Sequence, residues 1–265
     1  MGNSFKGWVF MLKILSVPFA ENNMNETVRW TNERIEKSIP TFIVTANPET
    51  VMQANNDTCF HEVISSADMI TPDGIGIVYA SKILGHSLKE RVAGYDMLHA
   101  LLQYRESIGS STKLFLLGST QDVVGVAGEN LAKQYEHVQI TGGHHGYFEK
   151  NSDEEKIIVE LISREKPDLL LVGIGSPKQE EFIHRFRNEL SATVMMGVGG
   201  SLDILSGKIC RAPAIFRKLG LEWFYRLLCE PSRIKRQMVL PVFVFLVLTE
   251  RMLHGSTAVE VKSTK

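Results

Sequence analysis

Five times along this chain a short apolar run breaks into a turn of Gly, Pro, Ser, Thr, Asn or Asp, and then into a helical pattern. The junctions are Thr41-Phe-Ile-Val-Thr-Ala-Asn47-Pro48-Glu49, Met69-Ile-Thr-Pro-Asp73-Gly74-Ile-Gly76, Leu114-Phe-Leu-Leu-Gly118-Ser119-Thr120, Leu169-Leu-Leu-Val-Gly173-Ile-Gly175-Ser176-Pro177 and Val194-Met-Met-Gly197-Val-Gly199-Gly200. Short uniformly apolar runs alternating with helices indicate strands buried on both faces, hence a parallel sheet. Open parallel sheets bind ligands in the crevice outside the carboxyl ends of their strands, so the polar residues at these junctions are the first candidates for chemistry. The pattern predicts an α/β protein with a Rossmann-like, mostly parallel sheet flanked by helices over residues 1–207. A basic, aromatic, mostly helical appendage and tail that associates with a membrane is expected over residues 208–265.

Helices are expected over residues 26–38, 48–55, 75–84, 96–107, 121–135, 152–165 and 177–190. A chain of 265 residues, 44% of them hydrophobic, can bury a sizeable core. Its formal net charge of −1 speaks against a general nucleic-acid binder. Charge is nevertheless concentrated: between Leu205 and Leu240 eight basic residues face only Glu222 and Glu230. The three cysteines, Cys59, Cys210 and Cys229, form no CxxC pair and fit a reduced compartment. The apolar stretch over residues 8–19 reads as a first buried strand around 12–17 rather than a signal peptide, because Lys13 interrupts it and no convincing small-residue cleavage site follows. The apolar block 238–248 is shorter than the ~20 residues that span a bilayer and contains Pro241, so it suits the membrane interface.

Each junction admits a structural and a functional reading. Asn47 before Pro48 fits a helix N-cap, while Thr45 and Asn47 equally present polar groups to a ligand. Ser176 and Gln179 read as a capping box, or as part of an amide-lined phosphate or sugar site. Asp73, between Pro72 and Gly74, is either a general base at a strand end or a cap of the next helix. Gly173-Ile-Gly175 and Gly74-Ile-Gly76 lack the third glycine of a dinucleotide fingerprint, which weighs against an NAD-type oxidoreductase. The adjacent His144 and His145 are expected to diverge, with no carboxylate at a ligand-like spacing, so a loop role is expected and no metal site. Residues 151–155 read as a solvated helix start. Neither a Gly-x-Ser-x-Gly elbow nor a P-loop lysine is present.

The blocks Thr45-Ala-Asn47-Pro-Glu49, Pro72-Asp73-Gly74-Ile-Gly76, Glu90-Arg91-Val-Ala-Gly94-Tyr-Asp96, Gly173-Ile-Gly175-Ser-Pro-Lys-Gln179-Glu180 and Gly197-Val-Gly-Gly200-Ser-Leu-Asp203 resemble, in order and spacing, the WecG/TagA/CpsF glycosyltransferase family. The resemblance spans residues 44–236. It implies a bacterial enzyme, peripheral on the cytoplasmic face of the plasma membrane, that moves a sugar from a UDP donor to an undecaprenyl-diphosphate-linked sugar for teichoic acid or capsule-type polymers. In the TagA-like branch the sugar is N-acetylmannosamine, the acceptor carries N-acetylglucosamine, and the configuration inverts.

By the same resemblance Asp73 matches the catalytic base, and Thr45, Asn47, Arg91 and Gln179 match polar residues of the pocket. Arg226, Arg233 and Arg236 match arginines that close over the leaving diphosphate; Pro231 between them speaks against one continuous helix. Gly118, Gly173, Gly175 and Gly199, where backbone can approach closely, and Asp203, facing the uridine, are the expected nucleotide contacts. No metal and no cofactor are expected. The expected partners are the UDP-sugar, the lipid-linked acceptor, the membrane surface and a second copy of the chain; no nucleic acid is expected. The basic amphipathic end also fits a non-catalytic membrane scaffold, which would leave the polar junction residues without a purpose.

Overall fold

The computed structural model describes residues 8–231, 234–254 and 259–263, without the side chains of residues 8–10, 218, 226, 235, 236, 254 and 259–263. In chain order the elements begin with β1 (Trp8–Ile14), β2 (Val17–Ala20), α1 (Met24–Glu36), β3 (Thr41–Ala46), α2 (Pro48–Asn56), α3 (Thr58–Ser65), β4 (Met69–Pro72), α4 (Ile75–Ile83), α5 (Gly94–Ser107), β5 (Thr112–Gly118) and α6 (Gln121–Gln134). They continue with β6 (Val138–His144), α7 (Asp153–Glu165), β7 (Leu169–Gly173), α8 (Lys178–Phe186), β8 (Val194–Gly197), α9 (Ser201–Leu205), α10 (Ala214–Lys218), α11 (Glu222–Cys229), α12 (Ile234–Gln237), α13 (Val239–His254) and β9 (Val259–Ser263).

The five junction strands β3, β4, β5, β7 and β8 join β6 in a six-stranded sheet of order β4-β3-β8-β7-β5-β6. The pairs β3–β8, β8–β7, β7–β5 and β5–β6 are all parallel. Phe42, Ile43, Val44, Leu114, Leu116, Leu117, Leu169–Val172 and Val194–Met196 are wholly excluded from solvent, as strands covered by helices on both faces must be. The order is not that of the dinucleotide-binding fold, because β7 and β8 insert between β5 and β3.

The N-terminal run departs from the expected single strand around 12–17. Leu15, at φ 53°, and Ser16 turn the chain instead, making β1 and β2 a hairpin in a separate antiparallel sheet of order β2-β1-β9. Leu12, Ile14, Val17 and Phe19 are still fully buried, so the run is core as read but in a different sheet.

Contacts divide the chain into two compact units. One draws on residues 1–23, 46–93 and 212–265, the other on residues 24–45 and 94–211. In the first, α13 packs on α2 and α4 through the buried Phe243 and Val247, while Val242, Val244, Phe245 and Leu248 on its other side are exposed. Among the described residues no helix is long and apolar enough to cross a membrane.

In the second unit α1 packs on α5, and Arg105 joins the two to β5. Only 4% exposed, Arg105 donates from Nε to Thr112 Oγ1 (2.7 Å), from Nη1 to Asn32 Oδ1 (2.7 Å) and Glu36 Oε1 (2.7 Å), and from Nη2 to the Ser111 carbonyl. A buried guanidinium is tolerable because its donors are taken up. Arg105→Met keeps much of the volume but strands Thr112 and the Ser111 carbonyl; urea unfolding should show a loss of about 2–4 kcal/mol.

Candidate active site

Asp73 stands immediately after β4, half-buried. Its backbone is fixed on both sides: the Asp73 amide donates to the Ala46 carbonyl at 2.9 Å, and the Val92 amide donates to the Pro72 carbonyl at 2.9 Å. Gly74 (φ 115°) stands at the cap position of α4. The β3–α2 turn packs on the same corner, where a Cβ at Gly76 would come within 3.0 Å of Pro48 Cγ.

Asn47 takes the structural role in full. Its Oδ1 accepts from the Thr50 amide (3.0 Å) and from Thr50 Oγ1 (3.2 Å), and its own amide donates back to Thr50 Oγ1 (3.4 Å). This reciprocal cap leaves the Asn47 side-chain NH2 as the group it can offer to a ligand. Arg91 is held by Glu222 at the start of α11, Nη1 to Oε2 3.1 Å. Next to Glu222, Gly220 (φ 72°) lies so close to α4 that a Cβ there would come within 3.0 Å of Ile75. The C-terminal segment therefore packs beside the Asp73 turn. Arg233 and the side chains of Arg226 and Arg236 lie outside the described residues.

In the other unit the ends of β5, β7 and β8 meet through bare backbone. At Gly118 (φ 145°) a Cβ would stand 2.4 Å from the Gly173 carbonyl oxygen, a distance no side chain tolerates. At Gly173 a Cβ would stand 2.8 Å from the Gly199 carbonyl oxygen. Around Gly175 (φ 85°), Gly199 (φ 50°) and Gly200, by contrast, no atom lies within 4 Å of the Cβ position. The strand ends thus combine close backbone packing with open space beside exposed peptide groups, the terrain a phosphate or sugar needs. Asp203 accepts from Ser119 Oγ (3.0 Å) and pairs with Lys208 Nζ (3.4 Å). Thr45 Oγ1 donates to the Gly197 carbonyl at 3.3 Å.

Gln179 sits in the same turn system. Its Oε1 accepts from the Gly199 amide at 3.0 Å, and its Nε2 donates to Glu180 Oε1 at 2.7 Å. A Cβ at Gly197 would stand 2.5 Å from that Nε2, so only glycine leaves room for the amide. The expected capping box of Ser176 and Gln179 does not form. The helix begins after the cis Ser176–Pro177 peptide with Pro177 as its cap and no side-chain cap bond, because Gln179 is engaged with Gly199 and Glu180 instead.

Glu180, passed over in the sequence, is 2% exposed. Burial pushes its carboxyl above the ordinary carboxylate range, opposed by the Gln179 hydrogen bond. Its sequence signal was its place at the end of the Gly173–Glu180 block.

The adjacent histidines also depart from expectation. Their rings converge, with centroids 4.3 Å apart, and Glu154 from the start of α7 reaches His145, Nε2 to Oε1 3.4 Å. The cause is the β6–α7 turn, which brings the start of α7 back to the end of β6.

The sequence profile of the glycosyl transferase WecG/TagA/CpsF family matches residues 12–257. The chain belongs to this family. It is 34% identical over 238 residues to the N-acetylglucosaminyldiphosphoundecaprenol N-acetyl-beta-D-mannosaminyltransferase of Bacillus subtilis (strain 168), spanning 89% of this chain and 91% of that protein. The proteins of the same name from Bacillus spizizenii and Staphylococcus aureus (strain NCTC 8325) are 38% identical over 207 residues and 42% identical over 204. Those matches span 78% of this chain and 78% of the first protein, and 77% and 78% for the second. The resemblance read from the five sequence blocks is borne out.

Because the folded-state pKa of Glu180 lies above its unfolded value of about 4.3, its contribution to stability is fully present below that pH and is lost as pH rises through the folded value. Glu180→Gln keeps an acceptor for Gln179 but cannot ionise. Urea unfolding measured from about pH 4 upward should show the wild-type decline flattened in the variant.

Proposed function

We propose that this chain is an inverting glycosyltransferase that moves N-acetylmannosamine from a UDP donor to undecaprenyl-diphosphate-linked N-acetylglucosamine, in the synthesis of a teichoic-acid-type cell-surface polymer. The observation that carries this reading is the match, over more than three quarters of both lengths, to transferases whose name states that sugar and that acceptor.

Inversion is a single displacement. The acceptor hydroxyl oxygen forms a bond to the anomeric carbon as that carbon's bond to the UDP oxygen breaks; the hydroxyl proton passes to a base, and UDP leaves with the electron pair. Asp73 is the base in this reading, supported by its half-buried place at a strand end and by the backbone bonds that fix its turn. Thr45, Asn47, Arg91 and Gln179 orient the donor, the last by holding the Gly197–Gly200 turn in shape. The backbone turns at Gly118, Gly173, Gly175 and Gly199 receive the nucleotide, and Asp203 receives the uridine. Arg226, Arg233 and Arg236 neutralise the departing diphosphate, guanidinium forks matching phosphate oxygens, so the transfer needs no metal and no cofactor.

The C-terminal segment is the membrane contact. Ile215, Leu219, Trp223, Phe224, Leu228 and Phe245 are exposed there among basic residues, a mixture suited to the headgroup region on the cytoplasmic face of the membrane. Exposed apolar surface of this kind also supports self-association.

Asp73→Asn removes the proton acceptor and keeps the shape. Transfer onto a short-chain N-acetylglucosaminyl-diphospholipid should fall about 10²- to 10⁴-fold with UDP binding retained; near-normal turnover would remove Asp73 as the base. Replacing Arg226, Arg233 and Arg236 one at a time by Gln should weaken UDP binding measured by calorimetry, each by about tenfold as expected for a charge-assisted hydrogen bond.

A further inference from the structure

The turn from β6 to α7 carries a cluster that the proposed transfer does not use. His144 ends β6, His145 follows it, and Glu154 lies in the first turn of α7. One ring nitrogen of each imidazole and one carboxylate oxygen of Glu154 all lie within 4.8 Å of one another, and all three side chains are half-buried. Among the described residues this is the one such group of three.

The surroundings favour a ligand role. His144 Nδ1 lies 3.0 Å from the His145 carbonyl oxygen, which makes Nδ1 the donor and leaves Nε2 with a free lone pair. A backbone carbonyl holding one imidazole nitrogen is how metal-binding histidines are commonly oriented. The neighbouring acids of α7 are committed elsewhere, Asp153 to Lys156 (2.8 Å) and Glu155 to Arg185, whereas Glu154 turns to the histidines. Zinc ligands at about 2.0–2.1 Å in a tetrahedron stand about 3.3 Å apart. A group already within 4.8 Å therefore needs about 1.5 Å of closure at most.

We propose that His144, His145 and Glu154 bind a divalent transition-metal ion of the zinc class, with a fourth position open to water or an anion. Two imidazoles and a carboxylate suit such an ion far better than magnesium or calcium, which take mainly oxygen ligands. The ion ties the end of β6 to the start of α7. It thereby steadies the loop whose Gly146 amide donates to the Ser119 carbonyl at 2.9 Å, beside Gly118. Loading has a local cost. The Tyr147 amide donates to His145 Nδ1 at 3.3 Å, and ligation through Nε2 moves the ring proton to Nδ1 and breaks that contact. The inference goes beyond the proposed transfer and stands apart from it.

The test uses the full chain stripped with a chelator. Titration with Zn²⁺ by calorimetry, and with Co²⁺ followed by its visible d–d absorption, should give one equivalent per chain, a raised melting temperature and a shifted Tyr147 amide resonance. Mg²⁺ should produce none of these. His144→Ala and Glu154→Gln should each weaken binding by more than about tenfold; both positions are half-buried, and circular dichroism checks their folding. If His144→Ala does not fold, Glu154→Gln decides alone. Absence of saturable Zn²⁺ binding, or binding unchanged in these variants, overturns the proposal. Transfer assayed with and without chelator is a separate readout: its loss on chelation would count against metal-free transfer and leave the site standing.

Discussion

The β5–β7–β8 part of the sheet depends on three stretches of backbone meeting where no side chain can stand. Gly118 lies against the Gly173 carbonyl, and Gly173 against that of Gly199. With side chains at these points the ends of β5, β7 and β8 would be forced apart, and the peptide groups now lining open space would be covered or misaligned. The Gln179 amide then fixes the last of the three turns through the Gly199 N–H. Because Glu180 occupies the other end of the amide, Gln179 cannot flip without giving up two hydrogen bonds inside a nearly dry site.

A division of labour follows. Asn47 and Gln179, both attractive as ligand contacts, spend most of their hydrogen-bonding capacity on shaping turns. At Asp73 the turn is secured by backbone bonds on both sides, and the following helix begins at a glycine.

Much of the fold was legible because burial on both faces writes a strand as an uninterrupted apolar run, and β3, β4, β5, β7 and β8 all carry that mark. β6 was not legible. As an edge strand it is buried only at Val138 and reads Val-Gln-Ile-Thr-Gly-Gly-His, a mixture of polar residues and glycine. The short α3 was missed for want of length, although Asp57 caps it. The N-terminal run was correctly read as core, but a strand buried in one sheet looks the same as a strand buried in another. Within the site, junction positions were readable while pairings were not. Nothing in the spacing announces that Glu222 would meet Arg91, or that Glu154 would reach back to His145.

One unit is assembled from three separated stretches of chain, and its small sheet sets β1 between β2 and β9. Trp8 pairs with Ser263, so β1 waits for a partner strand made far later in synthesis. During synthesis the hairpin leaves the ribosome long before its third strand exists, and Phe243 and Val247, which close the core over α2 and α4, also arrive late. The small sheet thereby closes only once β9 has been made, and a nascent chain that stalls short of β9 carries an open sheet edge.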